Sequence, residues 1–229
     1  MCKNWPDFPI AVGGATGGLI GDTVMTCGGS DGSYVDVCYS LTSQHVTSIT
    51  HMSVGRSFAA SIVLNENTLW VTGGLGDSGL LESTEKITIT GTSLGPNLPL
   101  ALGSHAIVAI NSTCSMVIAG YDGSSFNRLT FYHDNIEGEW INGPSLLQSK
   151  YSHAAGIVTD EVTNENFVAV TGGYIPYIDG YMTSTTELLQ DGEWVQGKKN
   201  TAICTIFWKF SGSTKHLLHP VFLKSILFK

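Results

Sequence analysis

Four doublets of small residues recur along the first 197 of the 229 residues, each behind a short apolar segment. Gly28-Gly29 follows Thr23 to Cys27, Gly73-Gly74 follows Leu69 to Thr72, Ala119-Gly120 follows Met116 to Ile118, and Gly172-Gly173 follows Phe167 to Thr171. Their spacings are 45, 46 and 53 residues. A supersecondary unit repeated at such a period buries its apolar side only against its neighbours, so the period constrains the fold more than local propensity does.

Other features keep step with the doublets. Ahead of the last three stand Arg56-Ser57-Phe58, Gly103-Ser104-His105 and Tyr151-Ser152-His153, each opening an apolar strand. After each doublet come a loop rich in Gly, Asp and Ser, an alternating strand and a short fourth strand. Consecutive apolar positions in the first two strands predict burial on both faces, whereas alternation in the third predicts a half-exposed strand. All seven prolines fall outside the expected strands, as their missing amide donor requires. The period therefore predicts an N-terminal segment 1–9, four-stranded antiparallel units at about 10–54, 55–101, 102–149 and 150–197, and a tail 198–229. Units of this kind are stabilised by stacking about an axis, which makes an all-β propeller. The doublets then mark corners where the chain turns at positive φ beside a crowding neighbour.

The unit resembles the kelch repeat. The resemblance rests on the Gly-Gly after strand two, Asp31-Gly32 and Asp122-Gly123 behind it, Trp140 and Trp194 on strand four, and the Arg56-Ser57 entrance. Departures are Ala119 in the third doublet, the missing strand-four Trp in units one and two, and the single entrance Arg. Four units are fewer than that family usually closes, so the resemblance implies an incomplete ring. Its open edges would expose apolar faces and invite self-association.

Charge is divided along the chain. Residues 1–197 hold all 19 acids and five bases, whereas 198–229 hold six lysines and no acid. A net charge of −8 opposes a nucleic-acid partner, which needs many cationic contacts. Residues 1–20 lack the unbroken apolar stretch of a secretory leader. No apolar run reaches the ~20 residues of a membrane-spanning helix.

Of five cysteines, Cys27 ends strand two and Cys38 lies in strand three of the first unit, where facing antiparallel neighbours are close enough for a disulfide. The corresponding places elsewhere hold Thr72 and about Ser83, then Ile118 and Leu129. Asn111-Ser112-Thr113 is a glycosylation sequon in an expected turn. An oxidised Cys27–Cys38 pair implies an extracellular protein and a reduced one a cytoplasmic protein.

Catalytic and metal-binding patterns are missing. No Gly-x-Ser-x-Gly, Gly-x-x-x-x-Gly-Lys or His-Glu-x-x-His string occurs, and the Cys27, Cys38, His45, His51 spacing is not that of a structural zinc site. His105 and His153 sit at equivalent entrances, which predicts structural roles, and Trp70, Trp140 and Trp194 are expected in the core between units. The expectation is a noncatalytic protein-binding scaffold or adaptor without cofactor or metal. The alternatives are a secreted propeller that binds a glycan or matrix protein, and a propeller oxidase or hydrolase.

In an up-and-down unit, the loops joining strands two and three share one side with the unit entrances. That face is expected to hold Asp31, Tyr34, Arg56, Asp77, Tyr121, Phe126, Tyr151, Tyr174, Tyr177, Asp179 and Tyr181. Tyrosines concentrate binding energy. The aspartates favour a basic or Ser/Thr-rich partner segment, although Asp31 and Asp122, each beside a Gly, are also turn formers.

Overall fold

The computed structural model describes residues 6–135, 138–176 and 182–197. The expected tail 198–229 lies outside them. The described residues form no helix. Four four-stranded antiparallel sheets follow one another along the chain. The first contains β1 (Thr16–Ile20), β2 (Thr23–Cys27), β3 (Val37–Leu41) and β4 (Val46–His51), paired in that order. The second pairs β5 (Ala60–Asn65), β6 (Thr68–Thr72), β9 (Thr84–Thr88) and β10 (Gly91–Leu94), with a small hairpin, β7 (Leu75–Gly76) and β8 (Gly79–Leu80), in the loop between its middle strands. The third contains β11 (Ala106–Ala109), β12 (Cys114–Tyr121), β13 (Phe126–Asp134) and β14 (Trp140–Asn142), and the fourth β15 (Ala154–Thr159), β16 (Asn166–Thr171), β17 (Thr186–Gln190) and β18 (Glu193–Gln196).

Each sheet packs against the next. Ile20, Met25, Cys27 and Cys38 of the first sheet share a core with Leu69, Val71 and Ile87 of the second. Ala60 and Trp70 of the second meet Ile107, Val117 and Phe131 of the third. Val108, Met116 and Ile118 of the third meet Val168, Val170 and Trp194 of the fourth. Trp70 and Trp194 are buried, and their indole N–H groups donate to Thr84 Oγ1 and the Pro144 carbonyl at 3.0 and 2.9 Å. On the outer side of the first sheet, Leu19 opposes Val24 in register and both are exposed.

The first three doublets are corners at which consecutive sheets meet. Gly28 and Gly29 have φ of 69° and 100°, and Gly73 and Gly74 have 57° and 101°. A Cβ on Gly28 would stand 2.4 Å from the Arg56 carbonyl oxygen, and one on Gly73 2.5 Å from that of Leu102. The second glycines donate N–H bonds to those same carbonyls, Gly29 to Arg56 at 2.8 Å and Gly74 to Leu102 at 2.7 Å. Gly120 donates to Lys150 in the same way at 3.0 Å. A side chain on Gly28 or Gly73 would therefore meet both an unfavourable dihedral and the backbone of the next sheet.

A second set of bonds runs from unit to unit. Phe58 N–H donates to the Gly14 carbonyl at 2.8 Å, Ser104 N–H to that of Phe58 at 2.9 Å, and Ser152 N–H to that of Ser104 at 2.8 Å. All four residues are left-handed, with φ of 70° at Gly14 and 52–53° at Phe58, Ser104 and Ser152. The same corner is thus built four times.

Two residues before each ladder position, the units alternate in chemistry. Arg56 and Lys150 occupy that position in the second and fourth units, and Val12 and Leu102 in the first and third. The residue facing the position two before each doublet follows suit. Glu85 opposes Val71 and Glu187 opposes Val170, whereas Tyr39 opposes Thr26 and Phe131 opposes Val117. Arg56 Nη2 lies 2.7 Å from Glu85 Oε1, and Lys150 Nζ 2.7 Å from Glu187 Oε1, with all four side chains at most 1% exposed. The carboxylates also accept backbone N–H bonds at matching places, Glu85 from Ser53 at 2.7 Å and Glu187 from Leu147 at 2.6 Å. Arg56 further donates to the Gly73 and Ser83 carbonyls at 2.9 and 2.8 Å. The Leu102–Phe131 pair of the third unit and the ion pairs of the second and fourth are thus two solutions for one buried place, whereas Val12 and Tyr39 of the first unit are half-buried.

Glu85→Gln strands the buried guanidinium and is expected to cost about 3–5 kcal/mol in urea unfolding. Arg56→Leu combined with Glu85→Phe, the residues of the third unit, is expected to recover most of that loss. A double variant no more stable than Glu85→Gln would contradict the equivalence of the units.

Candidate functional site

The residue after each doublet pairs reciprocally with the entrance of its own unit. Ser30 exchanges backbone bonds with Gly13, Leu75 with Ser57, Tyr121 with Gly103 and Tyr174 with Tyr151, at 2.7–3.1 Å. This pairing gathers the loops of the third and fourth units. Phe126 stacks on Tyr151 with centroids 4.3 Å apart, Tyr151 on Tyr174 at 5.2 Å, and Tyr121 lies 5.7 Å from Phe126 at a steep angle. Tyr121 and Tyr174 are 36% and 38% exposed, so the row reaches the surface. The Tyr121 hydroxyl donates to the Gly123 carbonyl at 2.7 Å and closes its loop.

Beside this row lies a concavity of ≈ 270 Å³, lined by Phe58, Leu75, Leu80, Ser104, Tyr121, Phe126 and Tyr151 together with the Gly103 backbone. Its second-unit wall is the β7–β8 hairpin, in which Leu75 pairs with Leu80 and Asp77-Ser78 forms the exposed tip. Phe58 is absent from the sequence-derived set, and Leu75 and Leu80 lie in the loop around Asp77 expected on this face without being singled out as contacts. Two signals mark them: Phe58 stands where other units have Gly14, Ser104 and Ser152, and Leu75 and Leu80 flank the hairpin pattern Gly-Asp-Ser-Gly.

The other expected residues divide three ways. Asp31 and Tyr34 lie in the first unit's loop between β2 and β3 and belong neither to the stacked row nor to the lining of the concavity. Asp31 accepts bonds from the Ser33 amide and hydroxyl at 3.1 and 2.9 Å, which hold its pKa below the usual carboxylate value. Asp122 is a turn former too. Burial alone would raise its pKa, but bonds from the Ser125 and Ser124 amides and hydroxyls outweigh that and lower it. Arg56 requires correction: its side chain is buried against Glu85 and the Gly73 and Ser83 carbonyls, so it presents nothing to a partner. Tyr177, Asp179 and Tyr181 lie outside the described residues.

Cys27 and Cys38 face each other across β2 and β3 and form a disulfide, with Cα atoms 4.1 Å apart. The corresponding pairs are Thr72 with Thr84, Ile118 with Thr130 and Thr171 with Thr186. The third-strand partners are therefore Thr84 and Thr130, one residue beyond Ser83 and Leu129. Asn111, Ser112 and Thr113 are exposed, and Asn111 Oδ1 accepts bonds from the Thr113 amide and hydroxyl at 2.9 and 3.0 Å. Among the described residues, no group of three or more His, Cys, Asp or Glu side chains is placed to hold a metal ion.

His105 and His153 are buried at equivalent corners, His105 Nε2 lying 2.9 Å from Thr72 Oγ1. Burial, reinforced by the charge of His153, lowers the His105 pKa from 6.5 to about 3, and burial with the nearby Lys150 ammonium lowers that of His153 to about 4. Both rings are neutral at pH 7. Unfolded imidazoles take up protons near pH 6.5, whereas the buried ones refuse them until far lower. Their stability contribution is therefore complete above pH 6.5 and lost as the pH falls through the window toward 4 and 3. The His105→Gln, His153→Gln double variant is expected to flatten urea stability against pH in that window, above the range where Asp31 and Asp122 titrate. An unchanged slope would assign the acid loss to other groups.

No protein-family model matches this sequence, and no curated protein matches it.

Proposed function

We propose that this chain is a noncatalytic kelch-type β-propeller module that binds a protein partner through the loop face bearing Tyr121, Phe126, Tyr151 and Tyr174. Four sheets of one strand order, three core layers between consecutive sheets and the repeated left-handed corner support the propeller arrangement. The observation that carries the binding function is the stacked, part-exposed row Phe126–Tyr151–Tyr174. Aromatic side chains combine large apolar area with few rotamers to immobilise, and they concentrate energy at interfaces.

The partner segment is basic or rich in serine and threonine. Of the four described cations, Arg56 and Lys150 are buried in ion pairs and Lys86 lies 6.0 Å from the centroid of the Trp70 ring, leaving Arg128 against many exposed carboxylates. Such a surface attracts cations and repels acidic segments. Tyr151→Ala with Tyr174→Ala is expected to weaken binding of lysine-rich peptides by at least ~10-fold, read by fluorescence anisotropy. Unchanged binding would remove this face from the function.

The buried disulfide and the exposed Asn111 sequon favour a second reading, an extracellular propeller whose partner is a matrix protein or glycan. Under native conditions without reductant, Cys27 and Cys38 are expected to resist thiol-labelling reagents until they are reduced. Labelling of all five cysteines in the unfolded, unreduced chain would exclude that reading.

A further inference from the structure

The concavity beside the aromatic row has a lining without any charged side chain. Its ≈ 270 Å³ falls below the ~300–1,000 Å³ of pockets that hold drug-sized ligands, a size that suits one side chain. Charge lies just outside it. Asp77 is at the tip of the hairpin whose Leu75 and Leu80 form one wall, and Asp122 follows Tyr121 in another. The inside therefore favours an apolar group and the rim favours cations.

Phe58 is the unusual member of the lining. It is 51% exposed and has φ of 53° at a ladder position that holds Gly14, Ser104 and Ser152 elsewhere. A bulky aromatic residue in the left-handed region is unfavourable, and the half-buried ring leaves the other half of its apolar area in water. Glycine or serine meets the demands of the corner in the other three units. A strained position that keeps half of an aromatic ring in solvent beside a concavity points to a binding role.

We propose that this pocket receives one large aliphatic side chain, such as leucine, from a partner peptide whose flanking residues are lysine or arginine, with Phe58 as the anchoring wall. The proposal rests on the loop face being a protein-binding surface, and it adds the chemistry of the bound segment. The apolar side chain supplies affinity by leaving water, and the flanking cations meet the field of Asp77 and Asp122.

The test uses the full chain and three fluorescent pentapeptides: Lys-Lys-Leu-Lys-Lys, Lys-Lys-Ser-Lys-Lys and Glu-Glu-Leu-Glu-Glu. The leucine-centred basic peptide is expected to bind ~10-fold more tightly than the serine-centred one, from burial of one leucine side chain. The acidic peptide is expected to show no saturable binding. Phe58→Gly suits the left-handed corner and is expected to bring the leucine peptide to the level of the serine peptide while the melting temperature holds or rises. Leu80→Ala, at the hairpin wall, provides a second variant with the same expected loss of preference. Equal binding of both basic peptides to the wild type would overturn the pocket assignment and leave the loop face as a basic-segment receptor. Absence of binding by either basic peptide would overturn both. An acidic peptide bound as tightly as its basic counterpart, or a leucine preference that survives both variants, would also contradict the proposal.

Discussion

Adjacent sheets are held in register by backbone bonds between left-handed residues. Phe58 donates to Gly14, Ser104 to Phe58 and Ser152 to Ser104. Three bonds of this kind contribute little by their net energy, on the order of 1 kcal/mol each. Their weight lies in what they demand. A donor and an acceptor from different sheets must meet at one corner, and the second glycine of the preceding doublet must leave room while bonding the carbonyl two residues upstream. From that constraint follow the near-regular period of the sequence, the three core layers and the meeting of residues from the second, third and fourth units around one concavity.

Much of this was legible because small residues are demanded by backbone geometry, and geometry repeats. The glycine doublets locate the second strands closely, and the order of four strands follows from the apolar and alternating segments around them. Ala119 in the third doublet, buried with φ of 51°, occupies a place where the neighbouring backbone still leaves room for a methyl group. The one-residue offset in the pairs corresponding to Cys27–Cys38 arose because loop lengths between strands two and three differ among units, and spacing alone does not set register. The β7–β8 hairpin was hidden inside a segment whose Gly and Asp content reads as loop.

Arg56 shows where one-dimensional reading ends. A lone arginine beside a loop looks like a surface contact, yet its carboxylate partner stands 29 residues away and both are buried. Only the register of β6 against β9 brings them together. The same register logic places Glu187 for Lys150, and in the third unit it replaces both charges with Leu102 and Phe131. Of the proposed binding face, Tyr121, Phe126, Tyr151 and Tyr174 were recognisable by composition because loops rich in aromatic residues stand out. Phe58 was not, since its meaning depends on the dihedral of its corner and on its exposure.

Amide hydrogen exchange tests the central claim, that the left-handed ladder joins the sheets into one body. The amides of Phe58, Ser104 and Ser152 sit in residues whose side chains are at least partly exposed, so loop amides of the same exposure supply the comparison. The account predicts that these three exchange slowly and together, with opening free energies near those of the central strands β6, β12 and β16. Exchange of the three at the rate of the Asp31 and Asp77 loops, with the strands still protected, would show that the corners do not hold the sheets together.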